Sequence, residues 1–151
     1  MNAVTLPHIA ERLTLSDQKL IDPVVDITNY IILELGQPLH AFDRDKLNGD
    51  ISVRLAKKDE SITLLDDQTL NLDASCLVIS DEKEAIAFAG VMGGKDSSVT
   101  SSTSSIFLES AYFKPSVIRG KARKFGFQTE ASLRFELSLI HISEPTRRSM
   151  I

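Results

Sequence analysis

Two side chains in this sequence are suited to acid–base or polarising chemistry: the imidazole of His40, in the run GQPLH, and the carboxylate of Glu109, in the run IFLESAY. An imidazole can polarise a bound group or orient a water. A histidine that follows a helix stop equally serves to satisfy loop backbone groups. Glu109 alternates with Phe107 and Ala111, so as a strand residue it shares a face with two apolar neighbours. A carboxylate so placed is either an acceptor inside a pocket or a glutamate on a solvent face or in a salt bridge. Metal chemistry finds no support. His8 and His40 lie far apart, Cys76 is the lone cysteine, and the many acids lack calcium-loop spacing. The run GVMGGK does not fit a phosphate-binding loop. A third feature is cationic: Lys114, Arg119, Lys121, Arg123 and Lys124 place five bases and no acid in eleven residues. That is a solvated helix face or a patch for a polyanion.

The elements that must carry these groups follow from periodicity. Residues 8–15 read as a weak helix, with Ile9 and Leu13 four apart. Residues 26–35 read as a better one, since Ile27, Tyr30, Ile31 and Leu35 share a face and Gly36 and Pro38 end it. This sets Thr28 and Asn29 near a helix start, where capping is their ordinary use. After the turn at Asn48-Gly49 the period becomes two, and 51–55, 61–65 and 69–72 read as short strands with a turn at Asp66-Asp67-Gln68. The continuously apolar runs 76–80 and 85–90 read as buried strands. Three glycines in five residues make 90–94 a turn or loop, in which Gly93 would need a positive φ. Eight Ser or Thr in nine positions make 97–105 a loop, and 106–112 reads as a strand. Lys114–Phe125 reads as one helix, with Pro115 in its first turn and Gly126 ending it. The sum is an α+β domain with short, mostly antiparallel strands in layers.

Composition sets wider bounds. A hydrophobic fraction of 42% and a charged fraction of 25% suit a soluble globular chain with a core of its own. No run approaches a membrane span, and MNAVTLPHIAERL lacks the form of a signal peptide. A lone cysteine suits a reducing compartment. The net charge of −4 hides an asymmetry, with 9 bases and 18 acids in residues 1–110 but 8 bases and 3 acids in 111–151. The run LSLIHISEPTRR (137–148) departs from what precedes it and resembles an in-frame translation of a transposase adapter used for sequencing libraries. The expectation is a domain over 1–136 and a non-native tail over 137–151, which removes His141 from consideration.

Four blocks point to one family. VVDITNYIILELGQPLHAFD (24–43), AFAGVMGGKDSSVT (87–100), IFLESAYF (106–113) and IRGKARKFGFQTEASLRFE (118–136) resemble the beta chain of bacterial phenylalanyl-tRNA synthetases, in family order and spacing. The resemblance covers about residues 6–136; it departs near His8, where the family usually has a tryptophan and this chain has none.

That resemblance implies the module that hydrolyses tyrosine wrongly esterified to the phenylalanine tRNA. An apolar pocket shaped for phenylalanine rejects a ligand that merely adds a hydroxyl by only about a hundredfold, so a second site must read the hydroxyl itself. By the same resemblance His40 and Glu109 are the catalytic pair, with Glu109 accepting from the phenol and His40 positioning or polarising the ester or water. The terminal ribose hydroxyl of the tRNA is an alternative water-orienting group. Thr28, Asn29, Gly93, Thr129 and Ala131 match substrate-binding positions, Gly93 as a place where bulk would block the pocket and Ala131 by being small. Within that reading the basic helix gains a use: Arg119 and Arg123, four apart, and Lys121 and Lys124, three apart, form adjacent stripes suited to phosphates of the tRNA acceptor end, a face that could equally meet another domain. The implied partners are an alpha subunit, in a heterotetramer, and tRNA(Phe), in the cytoplasm, with no DNA and no membrane. No cofactor is implied in this stretch; ATP and magnesium belong to the whole synthetase, on the alpha chain. Two other readings stand beside this one: a noncatalytic tRNA-binding scaffold, and a stand-alone aminoacyl-tRNA deacylase relative.

Overall fold

A computed structural model describes residues 4–142, with side chains described through Glu136. The tail reading for 137–151 lies outside the described side chains. Among the described residues, five α-helices, one 3-10 helix (Arg44–Lys46) and eight strands follow one another. Helices α1 (Pro7–Leu15) and α2 (Pro23–Leu35) come first. Strands β1 (His40–Asp43), β2 (Ser52–Leu55), β3 (Ser61–Thr63), β4 (Thr69–Asn71), β5 (Leu77–Ser80), β6 (Ala85–Phe88), β7 (Met92–Gly93) and β8 (Ile106–Glu109) follow. Helices α3 (Pro115–Ile118), α4 (Lys121–Lys124) and α5 (Glu130–Ile142) complete the order. The α+β class expected from periodicity is the class observed. No helix among the described residues is long and apolar enough to cross a membrane.

The strands form three antiparallel sheets: β2-β5-β6-β7, the hairpin β3-β4, and the pair β1-β8. The first of these organises the core. In β5 and β6, Val78 lies opposite Phe88 and Ile79 opposite Ala87. Strand alternation sends the two pairs to opposite faces. Val78 and Phe88 pack with Leu64, Leu72, Cys76 and Phe127. Ile79 and Ala87 pack with Phe42, Phe113, Ile118 and Phe135. Both faces of these strands are therefore covered, which is why their apolar runs are continuous.

Helix α2 begins at Pro23, capped by the Asp22 carboxylate accepting from Val24 N–H at 2.9 Å. It ends at Gly36, whose N–H donates to Ile32 O. This start is three residues earlier than periodicity suggested. Thr28 and Asn29 consequently lie in the second turn, and the Thr28 hydroxyl donates to Val25 O at 2.8 Å.

Four further expectations are corrected. The stretch after the helix stop is not loop: His40–Asp43 is strand β1, paired with β8. The glycine-rich run is not all turn, because Met92 and Gly93 pair with Phe88 and Ala87 as β7. Of the 106–112 run, only 106–109 is strand. The basic stretch is not one helix either. Gly120 takes φ of 74° and divides it into α3 and α4. With that break, Arg119 and Arg123 no longer form the continuous i,i+4 stripe of a single helix.

The Ser/Thr-rich loop is strapped along β1. Asp43 N–H donates to Ser97 O at 2.9 Å and Arg44 N–H to Ser105 O at 3.0 Å. The Thr103 hydroxyl donates to the buried Asp43 carboxylate at 2.6 Å. The two-stranded β1-β8 sheet is thereby fixed against the central sheet, with Phe42 wholly buried between them.

Candidate functional site

The end of the β1-β8 pair, one face of β6, the turn 90–93 and helix α5 line a small open cleft of about 60 Å³. Its wall includes Pro38, His40, Ala87, Gly93, Glu109, Ala131 and Phe135. Four of the site residues expected from sequence meet here: His40, Glu109, Gly93 and Ala131. They come from four separate elements, and the sheet register is what joins the first two. His40 and Glu109 are direct cross-strand partners, the last pair of the β1-β8 ladder.

Their electrostatics follow from burial. Desolvation lowers the His40 pKa to about 4. Desolvation raises the Glu109 pKa to about 7. Removing a group from water disfavours its charged form, which moves a base down and an acid up. At neutral pH the imidazole is uncharged, so the two are not an ion pair. The Glu109 shift has no cause besides burial, consistent with a carboxylate that no protein donor holds. It is the one acid in the wall of this cleft.

The imidazole is held between Phe42 and Gly93. It stands edge-on to the Phe42 ring, centroids 4.6 Å apart. Its Nε2 is closed off from solvent without a hydrogen-bond partner. That nitrogen backs onto Gly93, where an added Cβ would overlap Nε2 and Cε1 of the ring. Gly93 does not have a positive φ, unlike Gly90 at 71°. The turn explanation offered for Gly93 is therefore replaced by a steric one: it is glycine because His40 occupies the space. A buried bare acceptor is tolerated more readily than an orphaned N–H, so the physically favoured tautomer carries its proton on Nδ1.

The other expected residues, Thr28, Asn29 and Thr129, are not in the cleft lining. The Thr129 hydroxyl donates to Val91 O at 2.9 Å and accepts from Ser132 N–H at 3.0 Å. The Ser132 hydroxyl sits 3.0 Å from Thr129 N. This reciprocal cap starts α5 and ties it to the turn whose residues Gly90–Gly93 line the cleft. Ala131 and Phe135, four apart, then face the cavity. Thr28 and Asn29 are half-buried in α2, which packs on β1.

The basic residues are divided in use. The Lys124 ammonium pairs with the Asp73 carboxylate at 2.7 Å, and Lys121 donates to the Ser75 hydroxyl at 2.6 Å. The Lys124 ammonium and the Ser75 donors hold Asp73 well below the usual carboxylate range. Arg119 and Arg123 are exposed.

One contributor escaped the sequence reading. Gln37 follows the α2 stop and its side-chain amide donates to Pro38 O at 3.0 Å and Ala111 O at 3.1 Å. The available signal was a long polar side chain directly before a proline that enters a buried wall, which is weak without the register.

The B3/4 domain family matches residues 2–139. The phenylalanine–tRNA ligase beta subunit of Idiomarina loihiensis is 59% identical over 128 residues, which is 85% of this chain and 16% of that protein. The corresponding beta subunit of Photorhabdus laumondii is 52% identical over 136 residues, 90% of this chain and 17% of that protein. Among solved structures, an N-terminal fragment of the phenylalanyl-tRNA synthetase beta subunit from Pyrococcus horikoshii matches with a TM-score of 0.50 at 16% identity, covering 63% of this chain and 33% of that one. That last likeness concerns the fold alone. The chain thus spans about one sixth of the length of these curated relatives.

Proposed function

Because this chain belongs to the B3/4 domain family, we propose that it is the proofreading stretch of a phenylalanine–tRNA ligase beta subunit and that its cleft hydrolyses tyrosine misattached to tRNA(Phe). The observation that carries the reading is the His40–Glu109 pair at the mouth end of a two-stranded sheet, sharing one cleft with Gly93 and Ala131.

The chemistry proceeds from the two environments. Apolar walls from Ala87, Ala131 and Phe135 receive an aromatic ring. The Glu109 carboxylate, when ionised, accepts from the phenol of tyrosine. Phenylalanine brings no donor and leaves the carboxylate buried and unpaired, a penalty of about 1–3 kcal/mol or more. His40 is a weak base with its pKa near 4, so at neutral pH it serves better as a donor through Nδ1–H to the ester than as a proton acceptor. Water adds to the ester carbonyl carbon, the bond to the ribose oxygen breaks, and that oxygen takes up a proton, leaving tyrosine and free tRNA. The terminal ribose hydroxyl of the tRNA orients the water.

The same reading places residues 1–136 in one unit and residues 137–151 outside it, and places the protein in the cytoplasm. It assigns the ATP- and magnesium-dependent ligase step to an alpha-subunit partner in a heterotetramer. Thr28 and Asn29 on α2, and Thr129 through Val91, shape the cleft from behind.

Matched tyrosyl- and phenylalanyl-tRNA(Phe) test the proposal directly. The chain should release tyrosine at least tenfold faster than phenylalanine. Equal release of both overturns it, and tRNA binding without any release supports a noncatalytic scaffold instead.

The basic segment adds a second expected result. Among the described residues, Arg119 and Arg123 have no acid held against them as Lys124 has Asp73. The double variant Arg119→Ala, Arg123→Ala should weaken tRNA binding and reduce the salt slope by roughly two, about one for each phosphate that is no longer neutralised. Lys124→Ala should change it less, because its charge is already offset by Asp73. A filter-binding salt titration with equal slopes for the double variant and the parent would remove these arginines from the interface.

A further inference from the structure

The β1-β8 ladder ends at the pair that matters for the cleft. Its register sets His40 against Glu109, so one step further along the strands falls Leu39 with Ser110, and the next falls Pro38 with Ala111. Pro38 has no N–H to donate. An antiparallel pair extended this far would therefore lack a main-chain donor on the β1 side, and an unbonded strand end frays.

The Gln37 amide stands at that place. It donates to Ala111 O, 74 residues away in sequence, and to Pro38 O. Both hydrogens of one NH₂ group are used, one on each strand extension. Gln37 is itself held by Gly36, the left-handed cap of α2. Pro38 is buried in the cleft wall, and Ala111 packs against the core cluster that contains Phe42 and Phe135. A side chain thus supplies the cross-strand donor that proline lacks, two residues from His40 on one strand and two from Glu109 on the other.

We propose that Gln37 is a positioning residue, clamping the ends of β1 and β8 so that His40 and Glu109 stay opposed across the cleft; its consequence for selectivity rests on the tyrosine reading given above, whereas the clamp itself does not. Gln37 touches neither substrate nor reacting atoms. Without its two bonds the strand ends separate, water reaches Glu109, and the carboxylate loses the burial that distinguishes it.

The test uses this chain with three variants. Gln37→Met keeps the length and removes both donors. Gln37→Lys keeps a donor at the end of the side chain. Glu109→Gln identifies the Glu109 signal in a carbon-13 carboxyl titration. In the parent the Glu109 midpoint should lie near 7. Gln37→Met should bring it down by about one pH unit or more, as water enters, and Gln37→Lys should restore part of that change. With tyrosyl- and phenylalanyl-tRNA the Gln37→Met variant should lose about tenfold in selectivity with KM for tRNA unchanged. A midpoint and selectivity that match the parent in Gln37→Met overturn the clamp. If Gln37→Met does not fold, Gln37→Leu, which also removes both donors, takes its place: a fallen midpoint supports the clamp and a parental one overturns it. Should the parent itself fail to discriminate tyrosine, the proofreading reading fails while the titration still decides the clamp.

Discussion

Glu109→Gln should stabilise the protein at alkaline pH and, in the same variant, weaken its choice of tyrosine. The first half is linkage. Burial raises the Glu109 pKa from 4.5 to about 7 in the folded chain. The folded state therefore holds its proton more tightly than the unfolded state does. Stability from this group is fully present below about 4.5, declines as pH rises through the window up to about 7, and is lost above it. A shift of that size corresponds to about 3 kcal/mol if fully realised. Glu109 is partly solvated, so about 1–2 kcal/mol is the expected penalty. Glu109→Gln removes the charge and keeps the shape. Urea unfolding at pH 8.5 should show the variant more stable by that amount, and at pH 5 the two curves should nearly coincide. A variant equally or less stable than the parent at pH 8.5 contradicts a buried, partnerless carboxylate.

The second half concerns recognition. A hydrogen bond to a charged acceptor contributes about 1.5–3 kcal/mol. Losing it costs about ten- to a hundredfold in discrimination. Glu109→Ala should release tyrosyl and phenylalanyl esters at similar rates, and Glu109→Gln should fall between Ala and the parent, since an amide oxygen still accepts. The parent should itself lose selectivity as pH falls below 7, because a protonated Glu109 no longer offers the charged acceptor. A tyrosine preference that is flat from pH 5.5 to 8.5 removes Glu109 from that role.

How far these groups were legible beforehand depends on what holds them. The β5 and β6 strands were readable because each is covered on both faces, and an apolar run needs no partner to be noticed. The stop of α2 was readable because Gly36 carries a local signal. Strand β1 was not, because HAFD is four residues long and its partner begins 66 residues later; only the pairing makes it a strand. The division of the basic segment at Gly120 went unread for a different reason, since glycine inside a helical pattern is a cost of about 1 kcal/mol that a helix can absorb. At the site, spacing placed Glu109 on a face with Phe107 and could not say whether that face was wet. Resemblance to a family brought His40, Gly93 and Ala131 together as candidates. The resemblance marked position 93 as a place where bulk would block the pocket; the obstacle it did not identify is a ring reaching it from another strand.

That cause makes a sharp expectation. Gly93→Ala meets no backbone penalty, because Gly93 lies outside the positive-φ region. It meets the His40 ring instead, with Nε2 and Cε1 where the methyl must go. The ring is backed by Phe42, which is wholly buried and cannot yield cheaply. Overpacking of this kind costs about 1–3 kcal/mol. Displacing the imidazole also moves it from the ester, and a misplacement of about 1 Å lowers a rate by roughly a hundredfold. Both effects come from one contact, so a double-mutant cycle isolates it. Combining Gly93→Ala with His40→Ala should recover the lost stability, because the methyl then has room, while hydrolysis stays absent. Gly90→Ala is the control. Its φ of 71° strains any side chain whatever stands at position 40, so His40→Ala should not rescue it. If His40→Ala rescues neither variant, or both alike, the ring is not what keeps position 93 bare. The cleft would then owe its shape to the turn, and His40 would lose the wall that holds it in place.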